Sequence, residues 1–153
     1  MTPAVGAVAP SFEGRDQYGA PLSLAAVLSG SRLLLVFVPW AFSGICGGEL
    51  RDLRDHRDDF AAAGVEVVAV SCDAMFSQRV WADAEGFGFR LLSDHWPHGV
   101  IARAYGVFDE SAGVAVRGSF LIDRAGIVRW SVVRGIGEQR SVADCLAAVR
   151  AVS

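Results

Sequence analysis

The sequence predicts an α/β fold in which helices flank both faces of a central mixed β-sheet. Strand-like and helix-like patterns follow the order βαβα, then a short strand and helix, then ββα. The apolar run 33–38 lacks the alternation of a half-exposed strand, which indicates burial on both faces. A chain of 153 residues that is 52% hydrophobic can form one core, so we expect a single domain over 1–153.

The elements can be predicted in chain order from hydrophobic periodicity and turn residues. An N-terminal hairpin over 15–24 turns at Gln17-Tyr18-Gly19, and Ser23 is a candidate N-cap for a short helix. The remaining predictions are a strand at 33–38, a helix at 44–63 that stops at Gly64, a strand at 65–71, a helix at 77–85 with Val80 and Trp81 facing inward, a strand at 89–92, a helix at 100–105, strands at 114–123 and 127–133, and a helix from Ser141. A βαβ connection makes the strands 33–38 and 65–71 parallel, so the residues that follow them should share one edge of the sheet.

The composition argues against several classes of partner. The 14 basic and 17 acidic side chains give a formal charge of −3 with no polybasic arm, so we expect no nucleic-acid partner. No apolar run reaches the ~18 residues of a membrane span, and the N-terminus does not read as an export signal, so we expect no membrane partner and a cytoplasmic location. The cysteines, Cys46, Cys72 and Cys145, are too few and too scattered for a disulfide scaffold.

Cys46 stands where the buried strand 33–38 gives way to a helical pattern. Pro39 ends the strand, because proline cannot donate a hydrogen bond to the sheet. The unpaired N–H groups and the dipole of a helix N-terminus stabilise negative charge, which favours the reactive thiolate form of a cysteine. Ser43 is a candidate both for capping this helix and for contacting a bound substrate. These residues predict a site of thiol chemistry.

The motif Pro39-x-x-x-Ser43-x-x-Cys46 resembles the signature of the peroxiredoxin family, with Ser at a position more often occupied by Thr. Longer segments that resemble the AhpE-like one-cysteine peroxiredoxins of actinobacteria are 39–56, 91–99 and 104–108. The resemblance covers nearly the whole chain. It implies a thioredoxin-like fold with an N-terminal extension, a homodimer, and reduction of peroxides through a cysteine sulfenic acid with no metal or organic cofactor. It also implies that a low-molecular-weight thiol or a small redoxin regenerates Cys46.

The resemblance assigns roles to further residues. Arg117 matches the position at which the family carries its active-site Arg. The Arg117 guanidinium, the Ser43 hydroxyl and the backbone N–H groups at Cys46 and its predecessor would stabilise the charge that moves onto the leaving peroxide oxygen. Glu49, one turn after Cys46, is expected to pair with an arginine and orient it. The candidates for that partner are Arg117, Arg134 and Arg140.

Other interpretations of the cysteines stay open at this point. Cys72 also follows a strand at the catalytic edge and is a candidate resolving cysteine, which would make the protein an atypical two-cysteine peroxidase. Cys145 falls in an apolar helical stripe and is expected in the core. A thioredoxin-type thiol–disulfide oxidoreductase would place a second cysteine at position 49, where this chain has Glu49. A binding module of the same fold would have an unreactive, buried Cys46.

Five large aromatic residues are expected to lie mostly in the core. They are Trp40, Phe42, Trp81, Trp96 and Trp130. Trp40 and Phe42 flank Cys46 and are also candidates for a substrate pocket or a dimer contact. Together with Ile45 they suggest an apolar rim that suits organic hydroperoxides. The histidines lack metal-ligand spacing with the cysteines, so no metal is expected; they are His56, His95 and His98.

Overall fold

The computed structural model describes residues 1–152 and forms an α/β fold around one five-stranded sheet. The strands in chain order are β1 (Glu13–Arg15), β2 (Pro21–Ser23), β3 (Arg32–Phe37), β4 (Val65–Ser71), β5 (Arg90–Ser93), β6 (Phe108–Asp109), β7 (Val114–Ala115), β8 (Arg117–Ile122) and β9 (Val128–Arg134). The helices are α1 (Leu24–Leu28), α2 (Gly44–Asp55), α3 (Arg57–Ala62), α4 (Met75–Glu85), α5 (Val100–Ala104) and α6 (Val142–Ala151). Within residues 1–152, no helix is both long and apolar enough to cross a membrane.

The central sheet is mixed, as the sequence predicted. Its strand order is β5-β4-β3-β8-β9. β3 pairs in parallel with β4, with Leu35 opposite Val68, and β4 pairs in parallel with β5. β8 runs antiparallel to β3, and β9 runs antiparallel to β8. The carboxyl ends of β3, β4 and β5 therefore meet at one edge of the sheet, which we call the carboxyl edge.

Both faces of the sheet are covered, which confirms the burial predicted for the apolar run. Leu33, Leu35 and Phe37 of β3 join a core with α1 and α5, whereas Leu34 and Val36 join a second core on the opposite face. The second core is completed by side chains of α2, α3, α4 and α6. Because strand side chains alternate between faces, a strand that supplies both cores reads as an unbroken apolar run.

The predicted N-terminal hairpin forms from β1 and β2 and lies against β5. At its turn, the Asp16 Oδ1 atom accepts hydrogen bonds from the N–H groups of Tyr18 (2.9 Å) and Ala20 (3.0 Å). The Gln17 side chain donates to the Phe89 carbonyl (3.1 Å) and accepts from the Leu91 N–H (2.8 Å). Gln17 thus hydrogen-bonds main-chain groups of Phe89 and Leu91, and the hairpin covers the β5 edge of the sheet.

The predicted helix over 44–63 is wrong as a single element, because it is broken at His56 into α2 and α3. His56 leaves the helical conformation at φ −111° and ψ 10°. Its ring Nδ1 hydrogen-bonds the Asp52 carbonyl at 2.9 Å, the group that the next helical N–H would otherwise reach. The predicted stop is confirmed, since Gly64 has φ +73° directly after α3 and its cap.

Three other element predictions need correction. Val80 is 61% exposed and Trp96 is 84% exposed, so neither lies in the core, whereas Trp81 is buried as predicted. The strand predicted over 114–123 is interrupted at Val116, and its first part, β7, pairs with β6, a strand that the sequence did not predict. The β6–β7 turn is held by Asp109, whose Oδ1 atom accepts from the N–H groups of two turn residues.

Candidate active site

Cys46 lies in the first turn of α2, where the sequence placed it. Ser43 is the N-cap of this helix: its Oγ atom accepts a hydrogen bond from the Cys46 N–H at 3.3 Å. The capping role is thereby confirmed. The Cys46 N–H, which was expected to point at a peroxide oxygen, donates to Ser43 in this structure, and its contact with a peroxide stays a prediction. The Ser43 hydroxyl hydrogen stays available as a donor.

The Cys46 side chain is completely buried, with 0% exposure, and it contacts the core that contains Leu34, Val36 and Leu50. The segment 39–43 that leads to it is exposed in part: Pro39 is buried, but Trp40 is 42% and Phe42 is 59% exposed. Trp40 and Phe42 therefore belong to the surface beside Cys46, which agrees with the pocket or interface alternative and not with the core.

Glu49 lies three residues after Cys46 on α2, and residues at this spacing occupy the same side of a helix. Its carboxylate is buried between two arginines. Arg140 donates to it from Nε (2.8 Å), Nη2 (2.9 Å) and the backbone N–H (2.7 Å), and Arg117 donates from Nη1. We call these three residues the Arg–Glu–Arg cluster. The pairing predicted for Glu49 is confirmed for two of its candidates, while Arg134 is exposed at the end of β9.

The Arg117 guanidinium is 2% exposed and held at two points. Nη1 contacts Glu49, and Nε donates to the Ile136 carbonyl at 2.6 Å. These two contacts use Nη1 and Nε, and together they fix the orientation of the guanidinium plane. Arg117 is thus anchored to Glu49, which lies one helical turn after Cys46 on α2.

The geometry of a capped helix N-terminus, a thiol and an anchored arginine agrees with the comparisons to known proteins. The model of the AhpC/TSA family matches residues 5–131. The chain belongs to this family, the peroxiredoxins. Alkyl hydroperoxide reductase E of Mycobacterium tuberculosis is 46% identical over 150 residues, which cover 96% of this chain and 98% of that protein.

Solved peroxiredoxin structures share the fold over nearly the whole chain. The crystal structure of peroxidoxin BcpB from Mycobacterium tuberculosis has a TM-score of 0.88 at 28% sequence identity and covers 99% of both chains. That of AhpC from Enterococcus faecalis has a TM-score of 0.89 at 27% identity and covers 98% of this chain and 92% of the other. The protein is therefore a thiol-dependent peroxidase, and its fold is the thioredoxin-like one expected from the sequence.

The other two cysteines of this peroxiredoxin are buried and poorly ionised. Burial, together with the negative charge of Asp94, raises the pKa of the Cys72 thiol to about 12. Burial raises the pKa of Cys145 to about 11, and this residue packs in the α6 stripe as predicted. Neither thiol forms an appreciable amount of thiolate at neutral pH. Within residues 1–152, no group of three or more His, Cys, Asp or Glu side chains is placed to hold a metal ion.

Two residues of the peroxiredoxin site were missed by sequence reasoning. The Asp73 Oδ2 atom accepts a hydrogen bond from the Ala41 N–H (2.8 Å), and the Ser119 Oγ atom accepts one from Arg140 Nη1 (3.1 Å). Asp73 could have been found from its position, because it follows β4 at the same carboxyl edge where the segment 39–43 follows β3. Ser119 gives no comparable signal, since a buried serine in a strand has many ordinary roles.

The acidity of Glu49 gives a pH prediction for this peroxiredoxin. Burial raises the pKa of Glu49, but the hydrogen bonds and charge of Arg140 with the charge of Arg117 outweigh it and hold the pKa below the usual 4.5. A carboxyl whose pKa is lower when folded stabilises the protein above its unfolded value and loses that effect as pH falls through the folded value. The unfolding free energy of the wild type should therefore exceed that of Glu49→Gln at neutral pH, and this excess should shrink as the pH falls below 4.5 and through the lowered pKa of the folded state. Urea unfolding across this range measures the difference, and a difference independent of pH would contradict the assignment.

Proposed function

We propose that this peroxiredoxin reduces hydroperoxides with Cys46 as the nucleophile. In this proposal Ser43 and Arg117 bind the peroxide oxygens, Pro39 shapes the segment before Ser43, and Glu49 with Arg140 orients Arg117. The observation that carries the proposal is the buried Arg–Glu–Arg cluster one helical turn from a thiol at a helix N-terminus. A buried guanidinium held by a carboxylate and a carbonyl is a donor fixed in advance, which is what stabilisation of a developing oxyanion requires.

The chemistry proceeds in two stages. The Cys46 thiolate attacks one peroxide oxygen, an S–O bond forms as the O–O bond breaks, and the other oxygen takes a proton and leaves as water or an alcohol. The sulfur is oxidised to the sulfenic acid and the peroxide is reduced. A thiol then condenses with the sulfenic acid to a mixed disulfide and water, and a second thiol releases reduced Cys46. A low-molecular-weight thiol or a small redoxin supplies both thiols.

The surface around the site favours organic hydroperoxides over hydrogen peroxide. Trp40, Phe42 and Ile45 are 42%, 59% and 37% exposed and form an apolar margin beside Cys46. An alkyl chain gains free energy by leaving water for such a surface, whereas hydrogen peroxide gains nothing from it. The related protein from Mycobacterium tuberculosis carries the name alkyl hydroperoxide reductase E, which agrees with this preference.

An external reductant is favoured over Cys72 as the resolving thiol. A resolving cysteine must attack as a thiolate, and the pKa of Cys72, about 12, leaves almost none at neutral pH. Position 49 holds a carboxylate bound by two arginines, so a thioredoxin-type dithiol is absent there. The free state of all three cysteines is consistent with a reducing, cytoplasmic environment.

Mass spectrometry after one equivalent of cumene hydroperoxide tests this proposal. We expect a dimedone-trapped sulfenic acid on Cys46 and equal peroxide turnover by wild type and Cys72→Ser when an external thiol is supplied. A disulfide between Cys46 and Cys72 would instead identify an atypical two-cysteine peroxidase. A Cys46 thiol that does not react with peroxide would identify a binding module of the same fold.

We further propose that a second copy of the chain docks on exposed aromatic residues at the carboxyl edge. Phe76 follows β4 and Trp96 follows β5, with exposures of 70% and 84%, and they lie at the same edge as Trp40 and Phe42. Exposed apolar side chains grouped in this way mark association surfaces.

Sedimentation velocity tests the homodimer. The double variant Phe76→Ser/Trp96→Ser should dissociate at a concentration at least roughly tenfold higher than the wild type, because burial of two aromatic rings is lost. Val133→Ser removes a 40% exposed apolar side chain from β9, on another side of the molecule, and should leave the dimer unchanged. A monomeric wild type, or equal effects of both variants, would contradict this surface.

A further inference from the structure

The segment 39–43, between β3 and α2, packs through Ala41 against the core that contains the completely buried Cys46, and a side chain that follows β4 ties it to the rest of the protein. The Ala41 N–H donates to the Asp73 Oδ2 atom at 2.8 Å. Asp73 directly follows Cys72 after the end of β4, and its own carbonyl accepts a hydrogen bond from the Ser93 Oγ atom of β5 at 2.8 Å. The backbone of Asp73 is thus fixed between β4 and β5, and its carboxylate in turn fixes the backbone of the segment 39–43.

The segment needs such an anchor because its backbone is strained. Phe42, the residue after Ala41, has φ +66° and is the one residue other than glycine with positive φ within residues 1–152. This conformation is unfavourable for a residue with a side chain and persists only where neighbouring contacts enforce it. The Phe42 ring is 59% exposed and meets Trp81 with ring centroids 6.1 Å apart, so packing alone holds it weakly.

We propose that Asp73 is a positioning residue for the peroxidase reaction. Its carboxylate fixes Ala41, which keeps Phe42 in its strained conformation and keeps Ser43 on the Cys46 N–H. Asp73 thereby sets both how Cys46 is covered and where the Ser43 hydroxyl stands when a peroxide binds. The inference deepens the proposed function and rests on Cys46 as the reacting thiol. Asp73 itself takes no part in the chemical step.

The variants Asp73→Ala and Asp73→Asn separate this role from a general structural one. Alanine removes the acceptor for the Ala41 N–H, whereas the asparagine carbonyl oxygen can still accept it. In Asp73→Ala we expect Cys46 to be alkylated by iodoacetamide roughly tenfold faster and kcat/KM for cumene hydroperoxide to fall roughly tenfold or more, as for loss of a hydrogen bond to a charged group. Asp73→Asn should restore both rates to within about threefold of the wild type.

Alkylation is read separately at each cysteine by peptide mass spectrometry, with Cys145 as the internal control for unfolding, because Cys72 adjoins Asp73 and the Asp73 charge bears on its pKa. Opening of the segment 39–43 should accelerate alkylation of Cys46 and leave Cys145, on α6, at the wild-type rate. Equal acceleration at Cys46 and Cys145 would mean that Asp73 supports the whole fold, and it would overturn the inference. Unchanged rates in Asp73→Ala, or identical losses in Asp73→Ala and Asp73→Asn, would overturn it as well.

Cys46→Ser distinguishes failure of this inference from failure of the proposed function. If Cys46→Ser keeps peroxidase activity, Cys46 is not the reacting thiol, and the inference that depends on it is overturned too. If Cys46→Ser is inactive while Asp73→Ala behaves as the wild type in both assays, the proposed function stands and only the role of Asp73 is lost.

Discussion

Cys46→Ser should reduce peroxide turnover at least about a thousandfold, to the background rate of the external thiol. A serine hydroxyl is scarcely ionised at neutral pH and cannot carry the oxidised state that sulfur reaches as a sulfenic acid. The substitution removes the reacting atom and leaves Ser43, Glu49 and Arg117 in place. Stopped-flow measurements with several peroxides, at fixed external thiol, give the comparison.

Cys145→Ser is the matched control for this variant. Cys145 is 4% exposed and Cys46 is 0% exposed, and both pack in the core that α2 and α6 share on one face of the sheet. Each serine substitution places a hydroxyl in that core, so both variants should lose a similar amount of thermal stability. Only Cys46→Ser should lose activity. Full activity in Cys46→Ser, or an equal loss in Cys145→Ser, would show that the reacting group lies elsewhere.

Glu49→Gln should have the largest effect on stability, a loss of about 3–5 kcal/mol in the free energy of unfolding. The amide has the shape of the carboxylate but no charge, so the guanidinium groups of Arg117 and Arg140 would stay buried without a counter-ion. Its NH₂ group would also face a guanidinium N–H, donor against donor. Arg117 would lose one of its two anchors, and we expect kcat/KM to fall roughly a hundredfold as its guanidinium leaves the oxyanion position.

Glu85→Gln provides a control with the same chemistry at the surface. Glu85 also lies between two arginines, at 3.4 Å from Arg51 and 3.9 Å from Arg54, but its side chain is 28% exposed. Water can replace the lost interactions there, so the cost should stay below about 1 kcal/mol. Urea unfolding and peroxide kinetics on both variants give the comparison. A Glu49→Gln protein as stable as Glu85→Gln would mean that the Arg–Glu–Arg cluster tolerates loss of its only acid.

Much of the fold follows from local patterns in the sequence. The unbroken apolar run in β3 predicted a strand with helices on both faces, and the βαβ connection predicted the parallel pairing that brings Cys46 and Cys72 to one edge. The break at His56 could not be predicted, because it depends on one side chain bonding the helix backbone. Trp96 was misplaced because a tryptophan is usually buried, and nothing local to the residue shows that its loop faces outward.

The sequence indicated which residues belong to the candidate site, but not all of the contacts between them. Cys46 and Ser43 were predicted from the motif, Glu49 from its position one turn after Cys46, and Arg117 from the family resemblance. The choice among the arginine partners of Glu49 required the three-dimensional structure, since Arg134 and Arg140 are equally plausible by sequence. The burial of Cys46 could not be predicted either, because it depends on how side chains from several helices and strands pack around the thiol.

The contact between Gln17 and β5 also bears on aggregation. A free edge strand offers unpaired N–H and C=O groups on which strands of other molecules can assemble into fibrils. Gln17 occupies two such groups at β5, and Asp16 pairs with Leu92 in a β-bridge, so a strand of another molecule cannot pair with this edge. At the opposite side, β9 carries the exposed arginines Arg129 and Arg134, whose like charges repel a second copy of the same strand. Loss of the first twenty or so residues would therefore expose an edge strand that promotes aggregation, although Cys46 itself would remain in the chain.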